Sequence, residues 1–204
     1  GHPGTGETMP SKAKRLRRIV EVAPAVIADS GVIRYRNHCI AATAVGIAVC
    51  ERFGIEALPA SVEVMAMNDE MLAWLESGLG IEDRPDEAWS VGVANENTHT
   101  AGWDGHLVVE VPGFGFMDLN SGQMSRPLKN LFVRGGVFVP HELNGFESLV
   151  FRPDEEDGSR VKPAMMVYRR SSPGAVSEAW RTSPDWIRGT ANLGDVVDQI
   201  VSLA

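Results

Sequence analysis

HLVVEVPGFGFMDL (106–119) is the stretch on which the fold turns. HLVVEV (106–111) and FGFMDL (114–119) are short, apolar and rich in β-branched or aromatic side chains, and Pro112-Gly113 between them is turn chemistry. The segment therefore reads as an antiparallel hairpin. Which of its polar side chains share a face depends on the parity of the loop. An even number of loop residues sends Asp118 to the face opposite His106, whereas a three-residue loop such as Gly113-Phe114-Gly115, or a bulge, brings both to one face. In that odd register Asn120 shares the face too and lies nearer His106, so Asp118 and Asn120 both stand as candidates to hold the imidazole.

Upstream, CIAATAVGIAVCERFGI (39–55) is nearly all apolar as far as Phe53, the pattern of a helix buried on every side. Gly46 allows close packing, Gly54 is the expected residue just past the helix end, and Asn37 or His38 near the N-cap places Cys39 in the first turn. PASVEVMAMN (59–68) and WSVGVA (89–94) read as strands, with a short helix over 69–80 and a polar connection over 95–105. Residues 11–29 form an expected helix whose apolar face gathers Leu16, Ile19, Val20, Val22, Ala23 and Val26, with Pro24 kinking or dividing it. Farther on, 132–140, 147–151 and 164–170 read as strands, and 173–181 and 194–203 as helices. The expected fold class is α+β: a central helix carrying Cys39, packed on an antiparallel sheet carrying His106 and Asp118. Residues 1–10 read as a flexible leader and 11–204 as a single catalytic-type domain, with a C-terminal extension from about residue 125.

Composition narrows the function classes. The 204 residues are 44% hydrophobic and 23% charged, which suits one soluble domain with a real core. A net charge of −8 argues against a nucleic-acid partner, which would require a basic face to displace counterions. The basic cluster SKAKRLRR (11–18) is the exception; a solvated helix face is the preferred reading over a polyanion contact. No run approaches the roughly 20 apolar residues of a membrane span, and GHPGTGETMP (1–10) has no apolar signal-peptide core and no P-loop context. Two cysteines make no disulfide framework. Cys39 and Cys50 on one helix would lie roughly 16 Å apart, at about 1.5 Å per residue, beyond the roughly 7 Å a disulfide allows. A reducing cytoplasm is the expected compartment.

Cysteine at a helix start, followed by histidine and an acid on a hairpin, suits a thiolate nucleophile. A free thiol is mostly protonated at neutral pH; a helix N-terminus and an adjacent imidazolium both favour the thiolate, and a carboxylate sets which imidazole nitrogen faces the sulfur. Cys39, His106 and Asp118 are the expected catalytic set, with Asn120 as the alternative orienting residue. Asn37 and Tyr35 are candidate oxyanion donors beside the Cys39 backbone N–H, and Trp103 a candidate for the substrate entrance or an oxyanion site. Each has a plainer reading. Cys39 could be a small buried hydrophobe, as Cys50 in mid-helix is expected to be, His106 a strand cap, Asp118 a turn acid and Trp103 packing. His38, His99 and His141 read as capping or loop histidines, and Arg34 and Arg36 as solvated charges. Cys39, His99, His106 and Asp118 match no common zinc spacing.

These residues resemble the transglutaminase-like group of the papain-like cysteine enzymes. In that group the catalytic cysteine opens a helix closing on an Arg-x-Gly-Ile-Pro-type turn; here Arg52, Gly54-Ile55 and Pro59 follow Cys39. The group's His-x-Trp-Val-Glu-Val strand and Pro-Gly-x-Gly-aromatic hairpin are matched by His106–Val111 and Pro112-Gly113-Phe114-Gly115-Phe116 before Asp118, and its Trp-x-x-His by Trp103-Asp104-Gly105-His106. The likeness covers about residues 33–123. Val108 stands in place of the group's tryptophan, the hairpin is shorter, and Leu119 rather than proline follows Asp118. Arylamine N-acetyltransferases share the Cys-His-Asp order but carry Arg-Gly-Gly before the cysteine, where this chain has Arg36-Asn37-His38. The resemblance implies a cysteine hydrolase or acyltransferase with no metal or organic cofactor, acting on a peptide, protein or small acyl substrate through a thioacyl-enzyme. Amide hydrolysis is favoured over crosslinking because no calcium-binding loop is apparent. The rival expectation is a catalytically inactive domain of the same type that binds a protein partner.

Overall fold

A computed structural model describes residues 8–31, 38–93, 105–145, 147–155, 158–186 and 193–204. In chain order its helices are α1 (Met9–Asp29), α2 (His38–Arg52), α3 (Asp69–Ser77), α4 (Ala175–Glu178) and α5 (Gly194–Leu203). Its strands are β1 (Leu58–Met67), β2 (Ser90–Val93), β3 (His106–Val111), β4 (Gly115–Asp118), β5 (Val137–Val139), β6 (Leu149–Phe151) and β7 (Met165–Arg170). The class is α+β, with the sheet antiparallel at every pairing.

The sheet runs β5-β4-β3-β1-β7-β6, with β2 also on β1. Strand β1 is long enough to serve three partners. Its first half pairs with β3 (Val62 opposite His106) and its second half with β2 (Val64 opposite Val93), while β7 occupies the other edge (Val62 opposite Arg170). The residues beyond 125 thus place β7 beside β1 in the middle of the sheet, and α5 packs on α1 and α2.

The sheet is strongly curled. On its path β4 and β7 are separated by β3 and β1, about 14 Å in a flat sheet at roughly 4.8 Å per strand. Yet the Phe116 and Tyr168 rings stand edge-on with centroids 4.9 Å apart. Side chains of one face converge like this only when that face is concave. Val62, Val64, Val108, Phe116, Met166 and Tyr168 fill the concavity, and Met124, Leu131 and Leu143 help close it. The opposite face, with Val109, Val111 and Met117, packs on the buried stripes of α1, α2 and α5.

Local sequence explains the two elements that matter most. Helix α2 ends where Gly54 takes a left-handed φ of 69°. There Gly54 N–H donates to Glu51 O (3.0 Å) and Ile55 N–H to Cys50 O (2.9 Å), satisfying carbonyls that the helix end would orphan. Gly46 lets the helix lie directly on the sheet: a Cβ there would come within 2.7 Å of Leu119 Cδ1 and 2.8 Å of Val109 Cγ2. In the hairpin, Val111 stands opposite Gly115, so the loop is the three residues Pro112-Gly113-Phe114, one position earlier than Gly113-Phe114-Gly115 but of the same odd parity. Gly115 is required at the close of the loop, with φ at 135° and Val139 O only 2.0 Å from where a Cβ would sit.

Two expectations change. Helix α1 runs through Pro24 undivided, and it starts at Met9, inside the stretch read as leader. Residues 1–7 of that stretch lie outside the described residues. The basic cluster is partly engaged by the protein itself: Arg15 Nη1 donates to Ala204 O and Arg18 Nε to Leu203 O, where α5 presents its carbonyls and the negative end of its dipole. Among the described residues, no helix is long and apolar enough to cross a membrane.

Candidate active site

The odd loop puts His106 and Asp118 on the concave face. Asp118 follows Met117, the partner of Val109, and so comes opposite Val108, two residues along the strand from His106 and on the same side. The imidazole Nε2 lies 2.7 Å from Asp118 Oδ2, with both side chains fully buried. Tyr168 on β7 donates its hydroxyl to the same Oδ2 at 2.8 Å, which the curl of the sheet makes possible. Asn120 N–H donates to Asp118 Oδ1 at 3.0 Å. Asp118 is therefore a carboxylate with three donors, the arrangement that makes a buried charge tolerable.

Cys39 approaches from the helical layer. It lies in the first turn of α2, and two contacts a turn apart dock that helix on the start of β3. The Cys39 thiol points to Gly105 O at 3.8 Å, and Thr43 Oγ1 donates to Leu107 O at 3.0 Å. Because His106 is the first residue of β3, a helix seated at the strand's end brings sulfur and ring together from different layers. Burial on its own would push the imidazole down. The Asp118 carboxylate, through charge and hydrogen bond, and Cys39 in the same two ways, outweigh it and hold His106 up at about 10. Cys50 is a contrast on the same helix: burial first, and Glu51 second, push its thiol up to about 12. Both cysteines are free.

Three side chains join the site that the sequence reading did not single out. Tyr168 is one; burial, then the Asp118 charge, keep its phenol well above the ordinary value, so it remains a donor. Gln123, in the 3-10 turn Ser121–Met124, brings its Nε2 to 3.0 Å from His106 Nδ1. Trp180 packs with Cys39, Ile40 and Leu107, is 1% exposed, and its indole N–H has no hydrogen-bond partner among the described residues. Gln123 and Trp180 carried no sequence signal. Tyr168 carried a weak one, as an aromatic residue on an expected strand.

Of the expected site residues, the structure brings Cys39, His106 and Asp118 together. Asn120 does not take the imidazole: its backbone N–H supports Asp118, and its side-chain Nδ2 is buried without a partner among the described residues. Tyr35, Asn37 and Trp103 lie outside the described residues, as do Arg34, Arg36 and His99; His141 is exposed, away from this cluster. No metal-binding group of three or more His, Cys, Asp or Glu occurs among the described residues. A groove of about 560 Å³ between α1 and β5, lined by Arg17, Pro24 and Phe138 among others, contains none of the three residues. Chemically, the arrangement offers a buried thiol, an imidazole with an anionic anchor, and a buried N–H donor. No protein-family model, curated protein or solved structure matches this chain.

Proposed function

We propose that the protein is a cysteine hydrolase or acyltransferase of the transglutaminase-like, papain-like type, working on an amide or ester carbonyl. One observation carries the reading: a fully buried imidazole is raised both by a helix-start cysteine and by a carboxylate 2.7 Å away, which is itself held by Tyr168 and the Asn120 N–H. His106 Nδ1 takes the Cys39 proton, and the sulfur forms a bond to the carbonyl carbon while the C=O electron pair moves to oxygen. Collapse of that intermediate breaks the C–N or C–O bond, and the leaving group departs with the proton from Nδ1. Water, deprotonated by the same nitrogen, then splits the thioester to release the acid and regenerate the thiol; an amine in place of water gives acyl transfer. The Trp180 N–H, buried beside Cys39 without an acceptor among the described residues, is a donor for the carbonyl oxygen in this scheme. Asp118 keeps Nε2–H occupied, so that Nδ1 is the nitrogen that exchanges the proton. Hydrolysis of an amide is the version we favour, with no cofactor required.

A competing reading, an inactive domain that binds a protein partner, is favoured by the depth of the site: Cys39 is 4% exposed and His106 0%. Peptidyl vinyl sulfone and acyl fluorophosphonate probes, with the adduct located by peptide mass spectrometry, decide between them. The enzyme reading expects a Cys39 adduct that His106→Ala abolishes while Cys50 stays unmodified. No adduct on Cys39 with either probe class, or labelling indifferent to His106→Ala, favours the binding domain.

A further inference from the structure

Asp118 cannot be the only residue that sets the state of His106, because the ring's other nitrogen also has a partner. The Gln123 amide stands 3.0 Å from Nδ1, the nitrogen on which the proposed proton transfer depends. Gln123 is exposed, but its turn is anchored on both sides of it by buried groups. Ser121, fully buried, donates Oγ to Arg134 O at 2.7 Å, and Met124 is fully buried in the concave core. Gly122 lies against the backbone of Gly135, 3.0 Å from where a Cβ would sit, and Arg126 Nη1 holds Gln123 O at 2.8 Å. A surface glutamine on a turn pinned this way reaches inward to a buried ring, rather than lying on solvent.

We infer that Gln123 is a positioning residue: its amide N–H donates to Nδ1 of the neutral His106 ring and lets go when Nδ1 is protonated, so that the ring yields its proton more readily than Asp118 alone would allow. The inference rests on the proposed nucleophile and base for its catalytic meaning, but its physical content stands on the contact alone. A neutral Nδ1 has a single lone pair, and the Gln123 N–H is placed to occupy it. A donor on that lone pair favours the neutral ring. The opposite pull comes from Asp118 on β4, among the described residues the one carboxylate bonded to the ring; Tyr168 on β7 supports that carboxylate, and Cys39 on α2 is the other titratable neighbour among those residues. With Asp118 unopposed, the imidazolium would give up its proton to a leaving group reluctantly, because a base serves best when it titrates near the working pH. Gln123 moves the balance back.

The test is a ¹⁵N-histidine NMR titration of the full chain, with the His106 signals identified by their loss in His106→Gln. In the wild type the neutral ring should carry its proton on Nε2. Gln123→Met removes the donor from an exposed position and should raise the His106 midpoint by about half to one pH unit, the size of one neutral hydrogen bond. Gln123→Glu replaces the donor with an anionic acceptor and should raise it further. Both variants should unfold close to the wild type in urea. A midpoint that stays put or falls in Gln123→Met overturns the inference. Failure of the proposed function would look different: the midpoint would move as stated while Cys39 took up no acyl probe.

Discussion

Asp118→Asn keeps the shape of the side chain and removes the charge on which His106 depends. Its consequence should be a pH-dependent gap in stability. In the folded protein His106 titrates at about 10, against roughly 6.5 for an unfolded chain. A histidine raised by folding contributes stability that is fully present below about pH 6.5 and is lost as the pH climbs toward about 10. The wild type therefore loses this contribution across that window, and the variant, left with only Cys39 to raise the ring, has less of it to lose. At about pH 6 the variant should be less stable by roughly 3–5 kcal/mol, the usual effect of removing one partner from a buried ion pair. Above about pH 10 the ring is neutral in both proteins. The gap should then narrow to about 1–2 kcal/mol, what Tyr168 and the Asn120 N–H gain from a charged rather than a neutral acceptor. Tyr168 does not blur the comparison, since burial, the largest cause raising its phenol, is present in both proteins. Urea unfolding of both proteins at intervals from about pH 6 to 10.5 measures the gap. A gap of the same size at every pH would refute the buried ion pair.

Tyr168→Phe deletes a fully buried donor to Asp118 without adding a polar group, and should cost about 1.5–3 kcal/mol in urea unfolding near neutral pH; a loss under about 0.5 kcal/mol would mean the bond does not form. Gly46→Ala sets a gain of about 1 kcal/mol in helix propensity against a Cβ within 2.8 Å of Leu119 and Val109. Crowding at that distance costs about 1–3 kcal/mol, so the variant should come out less stable in the same assay. A stabilised Gly46→Ala would show that α2 does not lie against the sheet as described.

The sequence was readable where function rests on neighbours in the chain. The hairpin signals at Pro112-Gly113 located His106 and Asp118, and an odd loop is what lets the two meet. Choosing between Asp118 and Asn120 was out of reach, because it depends on where β4 stops: past Asp118 the chain enters the turn at Ser121, and Asn120 leaves the strand register. The strands over 137–139, 149–151 and 165–170 fell within expected stretches, but their pairing did not follow from them. That β7 lies beside β1, across about a hundred residues of sequence, is decided by the packing of two apolar faces. Tyr168 reaches Asp118 only because the sheet curls, a property of seven strands together rather than of any one. Gln123 was hidden for a different reason: a polar residue on an exposed turn carries no periodicity, and only the anchoring of Ser121 and Met124 turns it inward.

The central claim is that His106, backed by Asp118, makes Cys39 a nucleophile. It is tested most directly by iodoacetamide alkylation of the native protein at about pH 6, followed residue by residue with mass spectrometry. The two cysteines share a helix, and Cys50, with its thiol held at about 12, serves as the internal reference. The expected result is rapid labelling at Cys39, slowed at least about tenfold by His106→Ala, with Cys50 untouched until the protein unfolds. Slow labelling of Cys39 that His106→Ala leaves unchanged would contradict it.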